Sequence, residues 1–389
     1  MIAVAMVAVL AMAGLALDIG RLVGDKSRLQ ATVDVAALSA AKVLDTTGST
    51  VAATAAATST FNSNIALQSE LPRVGGTMAV EFSNTLVPFA PGTNPPLYVQ
   101  VSATGFFIPA TLSAVVGFTF FDLNASAMAG PSPTLNNACN LASMMICGTP
   151  GAPQNGYAVG QITALQPSTG TPATTGVGYF LQQSSGAHAQ DQDYAGAYNA
   201  CSTVGTNAPG QTAIPPAPVA DGLNTRFGEY ATGDVNSGSY PPDAVTTQPA
   251  GADRLKCTTL ACTNITTVGG TPVANSSQYP LYNYENMYQP AVRAGAYTNP
   301  PAPAGNGVVD RRVLAVPVAN CAAAAGGGNA PVIGLACMFM LQDVDPITGQ
   351  VFTEAVSSCE VNGNPGPVPN NGPGPYTIEL YHVPGSTQS

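Results

Sequence analysis

The 389-residue chain is long enough to bury a substantial core, yet only 8% of it is charged, against about 25% in an ordinary soluble domain. Its formal net charge is −10, and its eleven Lys and Arg form no run beyond Arg311-Arg312, which excludes a nucleic-acid partner. Gly 41 and Pro 34 leave a surface built largely of Ser, Thr, Asn, Gln and Gly, with no formal charge between Asp122 and Asp191.

Residues 1–17, MIAVAMVAVLAMAGLAL, carry no charge. As a helix they rise roughly 26 Å against a hydrocarbon layer of about 30 Å, so a single membrane span is expected. Ala11-Met12-Ala13 resembles a small-residue cleavage site, and a removed signal peptide is the competing reading. Beyond the run, Leu15, Ile19, Leu22, Leu29, Val33, Ala36, Ala40 and Val43 recur at spacings of three and four, interrupted only by Lys26, the pattern of one helical stripe for lipid or partner helices. Asp18, Arg21, Asp25 and Arg28 alternate in sign along a neighbouring face, each pair contributing about 0.3 kcal/mol. One helix running from membrane into water explains both patterns. It is expected to end at Thr46-Thr47-Gly48, with a second, Ala-rich helix opening near Ser49. Arg21, Lys26 and Arg28 follow the span, which taken alone favours a cytoplasmic body. The interleaved Asp18, Asp25 and Asp34 and the eight cysteines outweigh that tendency and place the body outside the cytoplasm.

From about residue 77 the period becomes two. Residues 78–82 and 97–101 read as a hairpin, 106–121 as an apolar helix packed on it, and 125–128 as a further strand. Residues 148–300 are dense in turn formers and read as long loops. Within them Tyr279, Tyr282, Tyr284 and Tyr288 form either an adhesive or subunit contact or, as buried aromatics more commonly do, a cover over the core. Residues 312–321, 331–344 and 350–361 read as apolar strands, the last two joined by an Asp345-Pro346-Ile347-Thr348-Gly349 turn; with 376–383 they suggest a mainly antiparallel sheet. The expected fold class is therefore α+β: a long N-terminal transmembrane and amphipathic helix followed by a disulfide-stapled, β-rich, loop-rich extracytoplasmic body. The expected divisions are 1–62 for the helices, 63–135 for a small α+β unit, and 136–389 for a loop-rich β domain.

Cys139, Cys147, Cys201, Cys257, Cys262, Cys321, Cys337 and Cys359 fall in no zinc-type spacing and are disulfide candidates. Of the 105 possible connectivities of eight cysteines, only the short loop Cys139 to Cys147 is singled out. His188 and His382 lack a supporting motif, and no Gly-x-Ser-x-Gly elbow occurs. Asp343, Asp345 and Glu354 imitate a calcium loop, but Ile347 occupies a ligand position. Asp234, Ser237 and Ser239 imitate Asp-x-Ser-x-Ser with the serines displaced by one. No catalytic, cofactor or metal site is expected.

The segment GLALDIGRLVGDKSRLQATVDVAALSAAKVL, residues 14–44, resembles the N-terminal domain of TadG-like proteins of the tight-adherence (Tad, or Flp) pilus system. The resemblance extends through CNLASMMIC, LNTRFGEY, DRRVLAVPVANC, GLACMFMLQ and LYHVPGS. It implies a non-enzymatic, single-pass inner-membrane component with a first helix like that of pseudopilins and a periplasmic or cell-surface body serving fibre assembly or adhesion. The implied partners are the lipid bilayer, other Tad or pseudopilin-like subunits, and further copies of the chain. A secreted adhesin with a cleaved first segment and an envelope hydrolase of unrecognised type are the alternatives.

Overall fold

The computed structural model describes residues 2–68, 75–117, 119–165, 178–181, 187–211, 215–231, 233–258, 262, 264–297, 307–323, 329–365 and 374–383, with the backbone alone over 2–11, 115–116, 178–180, 187–188, 197, 211 and 364–365. The chain divides into two compact units, residues 1–131 with 378–389, and residues 132–377.

The first unit lays two helices on an antiparallel sheet. Helix α1 (Ile2–Thr47) ends where expected: Gly48, at φ +64°, donates its N–H to the Leu44 carbonyl at 2.7 Å. Ser49 then caps α2 (Thr50–Ala66), its hydroxyl accepting from the Ala52 N–H. Helix α2 folds back on α1, with Thr60 Oγ1 donating to Ser39 Oγ at 3.1 Å. The sheet runs β1 (Thr77–Ser83), β2 (Tyr98–Pro109), β3 (Phe120–Pro131) and, last, the C-terminal strand Ile378–Tyr381. Alternation aims Val99, Val101, Ala103, Phe106 and Ile108 of β2 and Leu123, Ala125, Ala127 and Ala129 of β3 at Leu29, Val33, Ala36 and Ala40 of α1. Alanines on the helices let the backbones approach closely, and Phe61 and Phe106 fill the remaining space with ring centroids 6.2 Å apart.

The helix expected over 106–121 is not formed. Phe106 to Pro109 continue β2 and Phe120 onward is β3, joined through the 3-10 turn Ser113–Val116. Phe106 and Ile108 are buried while Phe107 between them is exposed, a period of two hidden inside an apolar run. A register shift between Ala103 and Phe106 interrupts the ladder at this point.

The second unit is inserted in the chain between β3 and the C-terminal strand, and its two ends pair: Ser132 N–H donates to the Thr377 carbonyl at 2.8 Å. Its eight-stranded sheet is built on β4 (Met144–Cys147), β5 (Ile162–Leu165), β6 (Gly178–Leu181), β7 (Gly210–Gln211), β8 (Val313–Ala319), β9 (Ala330–Met340) and β10 (Val351–Val356), ordered β7-β6-β4-β8-β9-β10-β5. Only β4 and β8 run parallel; β9 also pairs with the short strand Asn207–Ala208. Both faces are covered. Met338 and Met340 of β9 pack with Val219, Leu223 and Phe227, while Cys337 and Phe339 pack with Val245, Tyr284, Tyr288 and Val292. A strand buried on both sides reads as an unbroken apolar run, as 331–341 does.

Residues 376–383 do not join this sheet. Ile378–Tyr381 pairs with β3 of the first unit, Ile378 opposite Pro131, because the β3 edge is otherwise open and Ile378 packs into that core. The Asp345–Gly349 turn forms as expected, with the Gly349 N–H on the Asp345 carbonyl at 2.8 Å.

The disulfides are Cys139–Cys201, Cys147–Cys321, Cys257–Cys262 and Cys337–Cys359. The expected short loop between Cys139 and Cys147 is thus overturned. Cys139 stands directly opposite Cys201 on paired strands, whereas Cys147 lies in a different sheet opposite Ala319, two residues from Cys321. Strand pairing, not proximity in sequence, chose the partners.

Candidate functional site: the N-terminal helix and the hairpin docked on it

The predicted stripe divides along its length. Leu29, Val33, Ala36 and Ala40 are fully buried against the sheet; Leu22 and Val43 are partly buried on the same core; Leu15 is half-buried; Ile19 is 45% exposed. The sheet therefore takes up the C-terminal half of the stripe and leaves the N-terminal part with a different environment. Met12, Leu17 and Val23, together with Ile19, present large apolar side chains to the outside. Among the described residues no helix is long and apolar enough to cross a membrane. Over residues 2–11, which carry most of the expected span, the description is of backbone, and that backbone is helical.

The charged face behaves unlike a solvated ladder. Arg28 meets Asp25 at 3.4 Å, but Asp18 turns inward and receives the β2–β3 connection: Ser113 donates its N–H at 2.8 Å and its hydroxyl at 2.6 Å, Thr111 donates its N–H at 3.1 Å and its hydroxyl more closely still. These donors hold the Asp18 carboxyl well below the usual carboxylate range, the Ser113 hydroxyl contributing most. Arg21 Nη1 adds a bond to Thr111 Oγ1 at 3.2 Å. One turn earlier, a Cβ on Gly14 would stand 2.7 Å from the Leu112 Cβ, so the connection closes on α1 only because residue 14 is glycine. Sequence reasoning placed Asp18 in a surface ion-pair ladder and missed this docking. The only signal was an acidic residue at the foot of an apolar run, and its partner lies 95 residues away.

The remaining candidates resolve into structure. Arg312 is fully buried between the rings of Phe227 and Phe339, 4.6 and 4.5 Å away, and donates to the carbonyls of Met340, Leu341, Val245 and Thr247. Asp243 accepts from the Tyr288 hydroxyl and from the N–H groups of Val245 and Arg312. Burial lowers the Arg312 pKa to about 10, still above neutrality, and pushes those of Asp243 and Tyr288 up. Tyr279, Tyr284 and Tyr288 are buried in the second core, so most of the tyrosine cluster covers that core. Asp345 and Asn236 each accept backbone N–H groups of their own turns through a side-chain oxygen. Among the described residues no His, Cys, Asp and Glu group is placed to hold a metal. His382 is exposed just beyond the last strand, and the side chain of His188 lies outside the described residues.

The first unit is thus of the class in which a long N-terminal helix lies across an antiparallel sheet. Its opening segment, residues 1–43, matches the family model described as putative Flp pilus-assembly TadE/G-like, and this supports a pilus-related role. No curated protein and no solved structure matches the chain.

Proposed function

We propose that this chain is a non-enzymatic component of a Tad/Flp-type pilus system, anchored in the bacterial inner membrane by the start of α1, with a disulfide-bonded body outside the cytoplasm that serves fibre assembly or surface adhesion. The observation that carries the reading is the match of residues 1–43 to the pilus-assembly family, over a helix whose later half is committed to a core and whose earlier part is apolar. Four disulfides support an oxidising compartment, where thiols are not kept reduced. Pilus-system subunits and the bilayer are the partners.

The test is to fractionate cells with and without the gene and to count surface fibres on both. Retention in membranes through an alkaline carbonate wash, together with fibre loss in the deletion strain, is expected. Release of the intact chain by carbonate, or unaltered fibres in its absence, refutes the proposal.

A further inference from the structure

The β2–β3 connection offers a second apolar surface beside the helix. From Phe106 to Phe121 the chain carries no charged residue, and the first charge after it is Asp122. Phe107 and Phe120 pack edge to face at 5.3 Å on the outer side of the sheet and remain 47% and 56% exposed; Leu112, at the tip, is 49% exposed. An aromatic pair and a leucine exposed at the end of a hairpin are costly in water, and none of the described residues of the first unit buries them.

Their position follows from the Asp18 and Gly14 contacts. Leu112 abuts α1 at Gly14, and Thr111 and Ser113 are held at Asp18, so the tip is fixed at the level where the apolar run ends at Leu17 and charge begins. Met12, Leu17, Ile19 and Val23 expose apolar side chains on the helix to either side of that level. Arg21, Lys26 and Arg28 follow immediately, three of the chain's eleven cations within eight residues in a protein of net charge −10. An apolar tip below a short basic collar is complementary to a bilayer, acyl chains below and phosphates above. Three acidic groups lie near this boundary: four donors from the hairpin satisfy Asp18, Asp25 pairs with Arg28 at 3.4 Å, and Asp122, opposite Phe107 in the ladder, accepts from Asn124 Nδ2 at 3.2 Å.

We infer that the tip of the β2–β3 hairpin, through Phe107, Leu112 and Phe120, inserts into the interfacial layer of the membrane on the body side, so that the chain is held by two elements, the helix and a hairpin clamped to it. This rests on the membrane-anchored reading proposed above.

The chain contains no tryptophan, so one introduced indole reports alone. The full chain is reconstituted in phosphatidylcholine and phosphatidylglycerol vesicles with brominated acyl chains, in four single variants: F120W and L112W for the hairpin, M12W for the helix, and V51W, which is 79% exposed at the start of α2, as the remote position. F120W replaces one exposed aromatic by another and keeps the test open if L112W misfolds. The expected result is blue-shifted emission and about twofold or greater quenching for F120W, L112W and M12W, as for rings roughly 5–10 Å into the headgroup boundary, with V51W unquenched. Quenching of M12W alone overturns the hairpin insertion and leaves the anchor standing. No quenching at any position overturns the anchor and this inference with it, and equal quenching of V51W shows general adsorption, which also overturns it.

Discussion

Replacing Glu354 by Gln tests the physical account of the second core. Glu354 lies on β10, 1% exposed, on the face that packs against the tyrosines, and Oε2 accepts the Tyr284 N–H at 2.8 Å. Burial lifts its pKa from the ordinary 4.5 to about 7, the Tyr284 bond opposing the rise and nearby Glu285 adding to it. Between those two values the folded chain binds the proton that the unfolded chain releases, so stability falls as pH rises through the window and levels off above it. At 1.36 kcal/mol for each tenfold change in proton affinity, the loss is about 3 kcal/mol. Glutamine keeps an oxygen for the Tyr284 N–H and cannot ionise. E354Q is therefore expected to match the native chain at pH 4 and to exceed it by about 3 kcal/mol at pH 8, an increase of roughly 6–12 °C in the melting temperature of a unit this size. Urea titrations followed by far-ultraviolet circular dichroism, with disulfides intact, measure the difference. An E354Q advantage that is the same at pH 4 and pH 8, or a variant weaker than the native chain at pH 8, refutes the reasoning.

Three further outcomes follow from contacts described above. D18A leaves the donors of Thr111 and Ser113 without their carboxylate, so hydrogen exchange at those two amides should accelerate while exchange in the buried stretch of β2 stays slow; because the Asp18 pKa is depressed, its contribution in the native chain is present above about pH 4 and fades as acid protonates it, so the difference between D18A and the native chain should shrink in acid. R312K keeps the charge and loses the planar fork that reaches four carbonyls, and is expected to cost about 3–5 kcal/mol in the urea transition of the second unit. Removing Cys147–Cys321, which spans 174 residues, should cost about 5 kcal/mol against about 2 for Cys257–Cys262, which spans 5, read as the order of two melting temperatures.

What was legible in the sequence was local. The end of α1, the Ser49 cap and the Asp345 turn each depend on residues a few positions apart, and each forms; the β1–β2 hairpin, whose partners stand 15 to 27 positions apart, was legible from the alternation within each strand. The stretch 106–121 was misread because Phe106, Phe107, Ile108, Phe120 and Phe121 give no polar residue to mark which positions face out; a bulge and a tight turn supply the geometry instead. Cysteine pairing was illegible for a related reason, since Cys139 meets Cys201 through a ladder whose register no single strand records. The candidate site was half legible. The apolar stripe and the pilus-family segment stood in plain view, whereas the grip of Asp18 on Ser113 required knowing that β2 and β3 return to the foot of α1. Arg312, met in the sequence only as half of the Arg311-Arg312 pair, is a core residue because carbonyls and aromatic faces solvate its guanidinium.

The insertion of the second unit between β3 and the final strand gives it two covalent tethers, the Pro131–Ser132 and Thr377–Ile378 bonds, which leave one sheet on neighbouring strands. A tensile load on that unit is therefore divided between two chains side by side, and both must be drawn from the same ladder before either tether lengthens.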